Sequence, residues 1–96
     1  MDRDDLLKQA EDFQKRMEEA EKALREKSVT AEAGGGLIAI EGFANGHVQN
    51  VFVDAAIYSQ ESRQMLEDLL KAAFNVFQEK VVEAARDVSQ EVLRNQ

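Results

Sequence analysis

Ninety-six residues without a cysteine make one small domain and exclude both a disulfide framework and thiolate chemistry. Twelve basic residues against 19 acidic ones leave a formal charge of −7, which argues against strong nucleic-acid binding by bulk charge and leaves only a local patch for it. A hydrophobic share of 44 % beside 32 % charged residues excludes a disordered chain, and no apolar run approaches the roughly 18–20 residues of a membrane-spanning helix.

The opening Met1-Asp2-Arg3-Asp4-Asp5 has neither the basic n-region nor the apolar h-region of a secretory signal, so the chain is expected in the cytoplasm. Residues 3–27 predict a first helix. Leu6, Ala10, Phe13, Met17, Ala20 and Leu24 alternate spacings of four and three, the seam of a coiled coil. Asp2 or Asp4 can cap its start, and the acidic cluster suits the positive end of the helix dipole. With fewer than three heptads and two alanines, the seam is too weak to stand as a zipper and is expected to lie on the rest of the fold or on a partner helix. Opposite it, Lys8, Lys15 and Lys22 recur every seven residues as a stripe able to follow a phosphate backbone. The same lysines also belong to a ladder of acid-to-base pairs four residues apart: Asp4–Lys8, Glu11–Lys15, Asp12–Arg16, Glu18–Lys22 and Glu21–Arg25. Each such pair stabilises a helix by about 0.2–0.5 kcal/mol, so an ordinary solvated face explains the stripe as well.

From Ser28 the pattern turns from helical to alternating, and three strands are expected at 28–33, 37–43 and 47–54. Gly34-Gly35-Gly36 admits a sharp turn between the first two. Asn45-Gly46 between apolar runs predicts a two-residue hairpin of type I′, with positive φ at both positions. Ile38 and Ile40 are expected to share one face with Val51 and Val53, and Leu37, Ala39 and Phe43 to share the other with Val48 and Phe52. Both faces cannot stay in water; the helices take one and a partner the other. His47 has no cysteine or second histidine to join it and is assigned to the start of a strand, not to a metal or a catalytic site.

After a connection through Ala55 to Tyr58, with Ser59 or Ser62 as cap, a second helix is expected over 61–94. A segment this long admits a break, which no residue marks. Leu66, Leu69, Leu70, Ala73, Phe74, Phe77, Val81, Ala84, Ala85 and Val88 form a stripe about twice the roughly 100° that packing on one surface requires, again favouring a dimer. Beyond Val88 the stripe thins, and this tail is expected to project past the core, bearing Arg86 and Arg94 at its edges. No nucleophile–base pair, phosphate-binding loop or metal-ligand spacing occurs, and the glycine triplet precedes a strand instead of opening a helix. The chain is expected to have no enzymatic activity, cofactor, metal or small-molecule substrate.

The order helix, glycine-rich turn, hairpin, acidic residue, helix resembles the YbaB/EbfC family of bacterial nucleoid-associated proteins. The resemblance rests on Leu7-Lys8-Gln9-Ala10, Gly34-Gly35-Gly36-Leu37, Asn45-Gly46, Val51-Phe52-Val53-Asp54 and the run from Met65 to Asn75, and covers nearly the whole chain. It implies an α+β protomer, a helix, a three-stranded antiparallel sheet and a helix, which dimerises through its centre and projects helical arms. It also implies binding of duplex DNA with little sequence preference, in the nucleoid. Three features depart from the family: Ala55 stands where a proline commonly follows the acidic residue, the hairpin carries Ala39, Glu41, Gln49 and Asn50 in place of basic residues, and flexible Gly/Met- or Pro-rich tails are missing. The second departure leaves the arms as the DNA-contacting candidates.

The residues expected to neutralise phosphates are therefore Lys8, Lys15, Arg16, Lys22 and Arg25, with Arg86 and Arg94 beside them. Those expected at the dimer interface are Leu37, Phe43, Val48 and Phe52 from the sheet and Leu66, Leu70, Phe74 and Phe77 from the second helix. The alternative is a dimeric protein-interaction module on the same fold, with little DNA affinity and a protein partner.

Overall fold

The computed structural model describes residues 2–94, apart from the side chain at position 93. Helix α1 spans Arg3–Glu26, strands β1, β2 and β3 span Ser28–Ala33, Ile38–Phe43 and Val48–Val53, and helix α2 spans Arg63–Arg94 after a short 3-10 turn at Ala55–Ile57. The element order is the expected one, and α2 is a single helix of 32 residues. Asp2 occupies the N-cap position of α1 without a side-chain cap hydrogen bond. Before α2, the Ser62 amide donates to Ser59 Oγ at 3.2 Å and the Leu66 amide to the Ser62 carbonyl at 2.8 Å.

The sheet is antiparallel in the order β1-β2-β3. All three residues of the β1–β2 turn hold positive φ, 65°, 66° and 94° from Gly34 to Gly36, a run of left-handed conformations that side chains with a Cβ resist. The β2–β3 hairpin departs from the expected geometry. Gly46 has φ 90° but Asn45 is not in the positive region. The Gly46 amide donates to the Phe43 carbonyl, and the Phe43 amide to the His47 carbonyl, both at 2.9 Å. This is a three-residue connection, a tight turn closed by a left-handed glycine, which asks positive φ of one residue instead of two. The Asn45 Oδ1 accepts from the His47 amide at 3.0 Å and holds the turn.

Register explains a second correction. Ile38 pairs with Val53, Ile40 with Val51 and Glu41 with Asn50, but Gly42 pairs with Val48. Gln49 is thus one extra residue on β3, a bulge that turns Val48 from the expected outer face to the inner one, where it packs on the core. The outer face is consequently more polar than expected: Ser28, Thr30, Glu32, Glu41 and Asn50 surround Ala39, Phe43 and Phe52.

The core lies between the inner face and α2. Val29, Ala31, Ile38 and Ile40 from the sheet meet Ala73, Phe77 and Ala84 from the helix, with Ala44 and Ile57 closing the ends. Ile38 and Ile40 are fully buried. Helix α2 covers β1 and β2 and leaves β3 largely uncovered.

One of the two helical ends expected to project does not. The last turns of α2 do not stand free, because Asp87, Val88, Gln90, Glu91 and Arg94 line one cleft with Lys27 at the end of α1, and Val92 is half-buried. Helix α1 does project. Only Ala20, Ala23 and Leu24 are half-buried, and every residue from Asp2 to Glu19 is exposed. The protomer measures 70 × 18 × 16 Å. At 1.5 Å per residue, α2 accounts for about 48 Å of the long axis and the free part of α1 for most of the rest.

Candidate nucleic-acid interface

The free part of α1 is an arm with two unlike faces. One carries Leu6, Ala10, Phe13 and Met17, flanked by Leu7; all are in water, and Phe13 is 64 % exposed. The lysine stripe lies opposite. A seven-residue step is nearly two turns, so Lys8, Lys15 and Lys22 stand in line about 10.5 Å apart. All three are exposed, as are Arg16 and Arg25, which fall on opposite flanks of the same helix.

None of the five acid-to-base pairs expected on α1 closes to a salt bridge. Among the described residues the ion pair is Arg63–Glu67 at 3.2 Å, on the first turns of α2. An exposed pair gains little from its Coulomb energy and loses side-chain entropy on closing. The lysine ammonium groups are therefore not held by the neighbouring carboxylates and can turn to another anion. The carboxylates remain nearby, however: Glu11, Asp12, Glu18 and Glu19 border the stripe.

Arg86 is exposed on α2, and exposed Arg94 lines the 310 Å³ cleft with Lys27, where Asp87 and Glu91 offset their charge. The structure thus gathers five of the seven candidate cations on α1 and sets Arg86 and Arg94 apart on α2. Between Lys27 and Arg63 the chain has no lysine or arginine, so the sheet and its hairpins offer a polyanion only Glu32, Glu41, Asp54 and Glu61. His47 stacks on Phe43 at 6.5 Å between ring centroids. No group of three or more His, Cys, Asp or Glu suited to a metal occurs among the described residues, and no described helix is long and apolar enough to cross a membrane.

The candidate interface residues fall into three groups. Phe52 and Phe74 are exposed, at 50 % and 37 %. Leu37, Phe43, Leu66 and Leu70 are half-buried, as is Val48 on the inner face. Phe77 is only 3 % exposed. It reaches over Gly42, where a Cβ would stand 2.7 Å from its Cζ, and has almost no surface left for a second chain. Lys80 is among the cations not singled out from the sequence. Lys80 donates from Nζ to the Thr30 carbonyl at 3.1 Å, a contact between residues 50 apart that no local pattern signals.

Comparison with known proteins gives concordant findings. A model of the YbaB/EbfC DNA-binding family matches residues 1–96. A protein of Rickettsia bellii named nucleoid-associated protein is 44 % identical over 70 residues, 73 % of this chain and 65 % of that one, so the chain spans a little under two-thirds of that relative's length. A nucleoid-associated protein of Rickettsia rickettsii is 38 % identical over 82 residues, 85 % of this chain and 77 % of its own. The crystal structure of an uncharacterized Helicobacter pylori protein superposes with a TM-score of 0.81 over 97 % of this chain and 98 % of that one, at 19 % identity; the fold is shared.

Proposed function

The chain belongs to the YbaB/EbfC DNA-binding family, and from this we propose that it is a non-enzymatic, nucleoid-associated protein that binds duplex DNA as a homodimer in the bacterial cytoplasm. The observation that carries this reading is the arm itself: a projecting helix with Lys8, Lys15 and Lys22 in line, exposed and, among the described residues, without an ion pair within 4 Å. Arg16 and Arg25 widen the contact, and Arg86 and Arg94 add a weaker one. Contacts of this kind go to phosphates, which position a protein on DNA without reading its sequence. The arm has no aromatic or amide cluster facing the same way as the lysines, so sequence preference is expected to be low and salt sensitivity high.

Dimerisation is supported by surface area. The protomer exposes 7359 Å², about a third above the roughly 5,500 Å² of a compact monomer of its mass. Two arms on one dimer supply an avidity that one lacks. Charge reversal of the stripe, Lys8/Lys15/Lys22→Glu, is expected to lower affinity for a labelled duplex at least about tenfold, since each lost phosphate contact also removes a released counterion. Sedimentation should show the dimer unchanged. Unaltered affinity would remove the stripe as the contact surface.

A second reading is favoured by the arm's other face. The exposed seam of Leu6, Leu7, Phe13 and Met17 suits an apolar helix of a protein partner. On that reading the chain is a dimeric interaction module, and the charge-reversed variant keeps its partner.

A further inference from the structure

The helices pack on the inner face of the sheet and, among the described residues, leave the outer face open. Three rows cross that face. Ser28 stands beside Phe43, whose ring stacks with His47 at an interplanar angle of 19°. Thr30, Glu41 and Asn50 form the middle row, and Glu32, Ala39 and Phe52 the third. Ala39 and Phe43 are half-buried, and Phe52 is exposed.

Glu41 is the unusual member. Glutamate is depleted in strands, yet this one sits half-buried in the central strand, at the middle of the face. Phe43 follows two residues along β2, about 6.8 Å away. Phe52 lies diagonally across on β3, and Glu32 holds the matching diagonal on β1. No cation offsets either carboxylate. Among the described residues the ion pair is Arg63–Glu67, and no lysine or arginine occurs between Lys27 and Arg63. The face thus holds a carboxylate between two phenyl rings, with no positive charge of its own to neutralise it.

We propose that the outer face docks a basic segment of another protein, with an arginine of that partner on Glu41 between the Phe43 and Phe52 rings. This docking is independent of the DNA contact on α1. Charge selects the occupant. A second copy laid face to face sets Glu32 and Glu41 against the same two residues, with no cation on either side. Duplex DNA sets its phosphates against them. An uncharged apolar segment strips water from Glu41 without replacing it. A guanidinium meets both parts of the face, because it donates paired hydrogen bonds to a carboxylate and lies favourably on aromatic rings. Apolar side chains flanking that arginine reach Phe43 on one side and Ala39 with Phe52 on the other. The face spans roughly 10 Å across the strands and 17 Å along them. That is room for one extended segment or one helix, so the contact is expected to be weak and transient.

The test follows backbone amide resonances of the full isotope-labelled chain during titration with a blocked peptide, leucine-serine-arginine-serine-leucine. In extended form this probe puts its arginine and both leucines on one side. Resonances of Thr30, Glu41, Phe43, Asn50 and Phe52 are expected to move together. The same peptide with neutral citrulline in place of arginine is expected to move none of them. Glu41→Gln keeps the size of the side chain and should weaken binding about tenfold. Glu79→Gln removes one exposed charge from α2 and should leave binding unchanged; the spectra show directly that each variant is folded. Shifts spread along α1, equal binding of the citrulline peptide, equal binding by Glu41→Gln, or no shift at millimolar peptide would each overturn the proposal. So would movement of all five resonances on concentrating the protein alone or on adding a DNA duplex, because the face then belongs to a second copy or to nucleic acid.

Discussion

The body of the protomer and its arm use their apolar side chains in opposite ways. In the body, Ile38 and Ile40 are fully buried and α2 places Ala73, Phe77, Ala84 and Val88 out of water. In the arm, Leu6, Leu7, Phe13 and Met17 remain in it, and α1 has no buried residue at all. A helix of this length is marginal in water unless something packs on it. The body therefore supplies the stability of the single chain. The charges divide the same way, with every lysine and arginine on or beside a helix and none in the sheet.

Substitutions in the two regions should differ accordingly. The largest effect is expected from Ile40→Ala, which opens a cavity where Ala31, Val51 and α2 converge. A loss of about 2–5 kcal/mol is expected as a fall in the urea midpoint, and a loss below 1 kcal/mol would mean that the body is loosely packed. A smaller effect is expected from Lys80→Met, which keeps the apolar stem over β1 but leaves the Thr30 carbonyl without its donor. The cost should be about 1 kcal/mol, with a tendency to associate through the uncovered edge that appears as concentration-dependent sedimentation. The smallest effect is expected from Phe13→Ala. It removes no protomer packing and improves helix propensity, so the change should stay within about 0.5 kcal/mol. A loss above 1 kcal/mol would show that the seam is already covered in solution, and would erase the contrast between body and arm.

What was legible in the sequence was whatever depends on near neighbours. Alternation set Ile38 and Ile40 on one face with Val51 and Val53, seven-residue spacing set Lys8, Lys15 and Lys22 in line, and the glycine triplet marked a turn that all three residues enter with positive φ. What was not legible depends on pairing between distant segments. The bulge at Gln49, which moved Val48 across the sheet, and the change at Asn45 from a two-residue to a three-residue connection are set by how β3 meets β2, not by either strand alone. That the end of α2 does not project was also hidden, since its thinning stripe says nothing of the overlap with Lys27 at the end of α1. Sequence spacing overstated the ion pairs of α1, because being four residues apart permits a contact that solvent and entropy do not require.

The most direct measurement is fluorescence anisotropy of a labelled duplex titrated with the protein at several salt concentrations. If the arms neutralise phosphates, log affinity should fall linearly with log salt at a slope between about −3 and −5, for one or two lysine stripes in contact. Duplexes of unrelated sequence should give the same line. A folded dimer that binds no duplex even at low salt would contradict the account, and would leave the apolar face of the arm as its working surface.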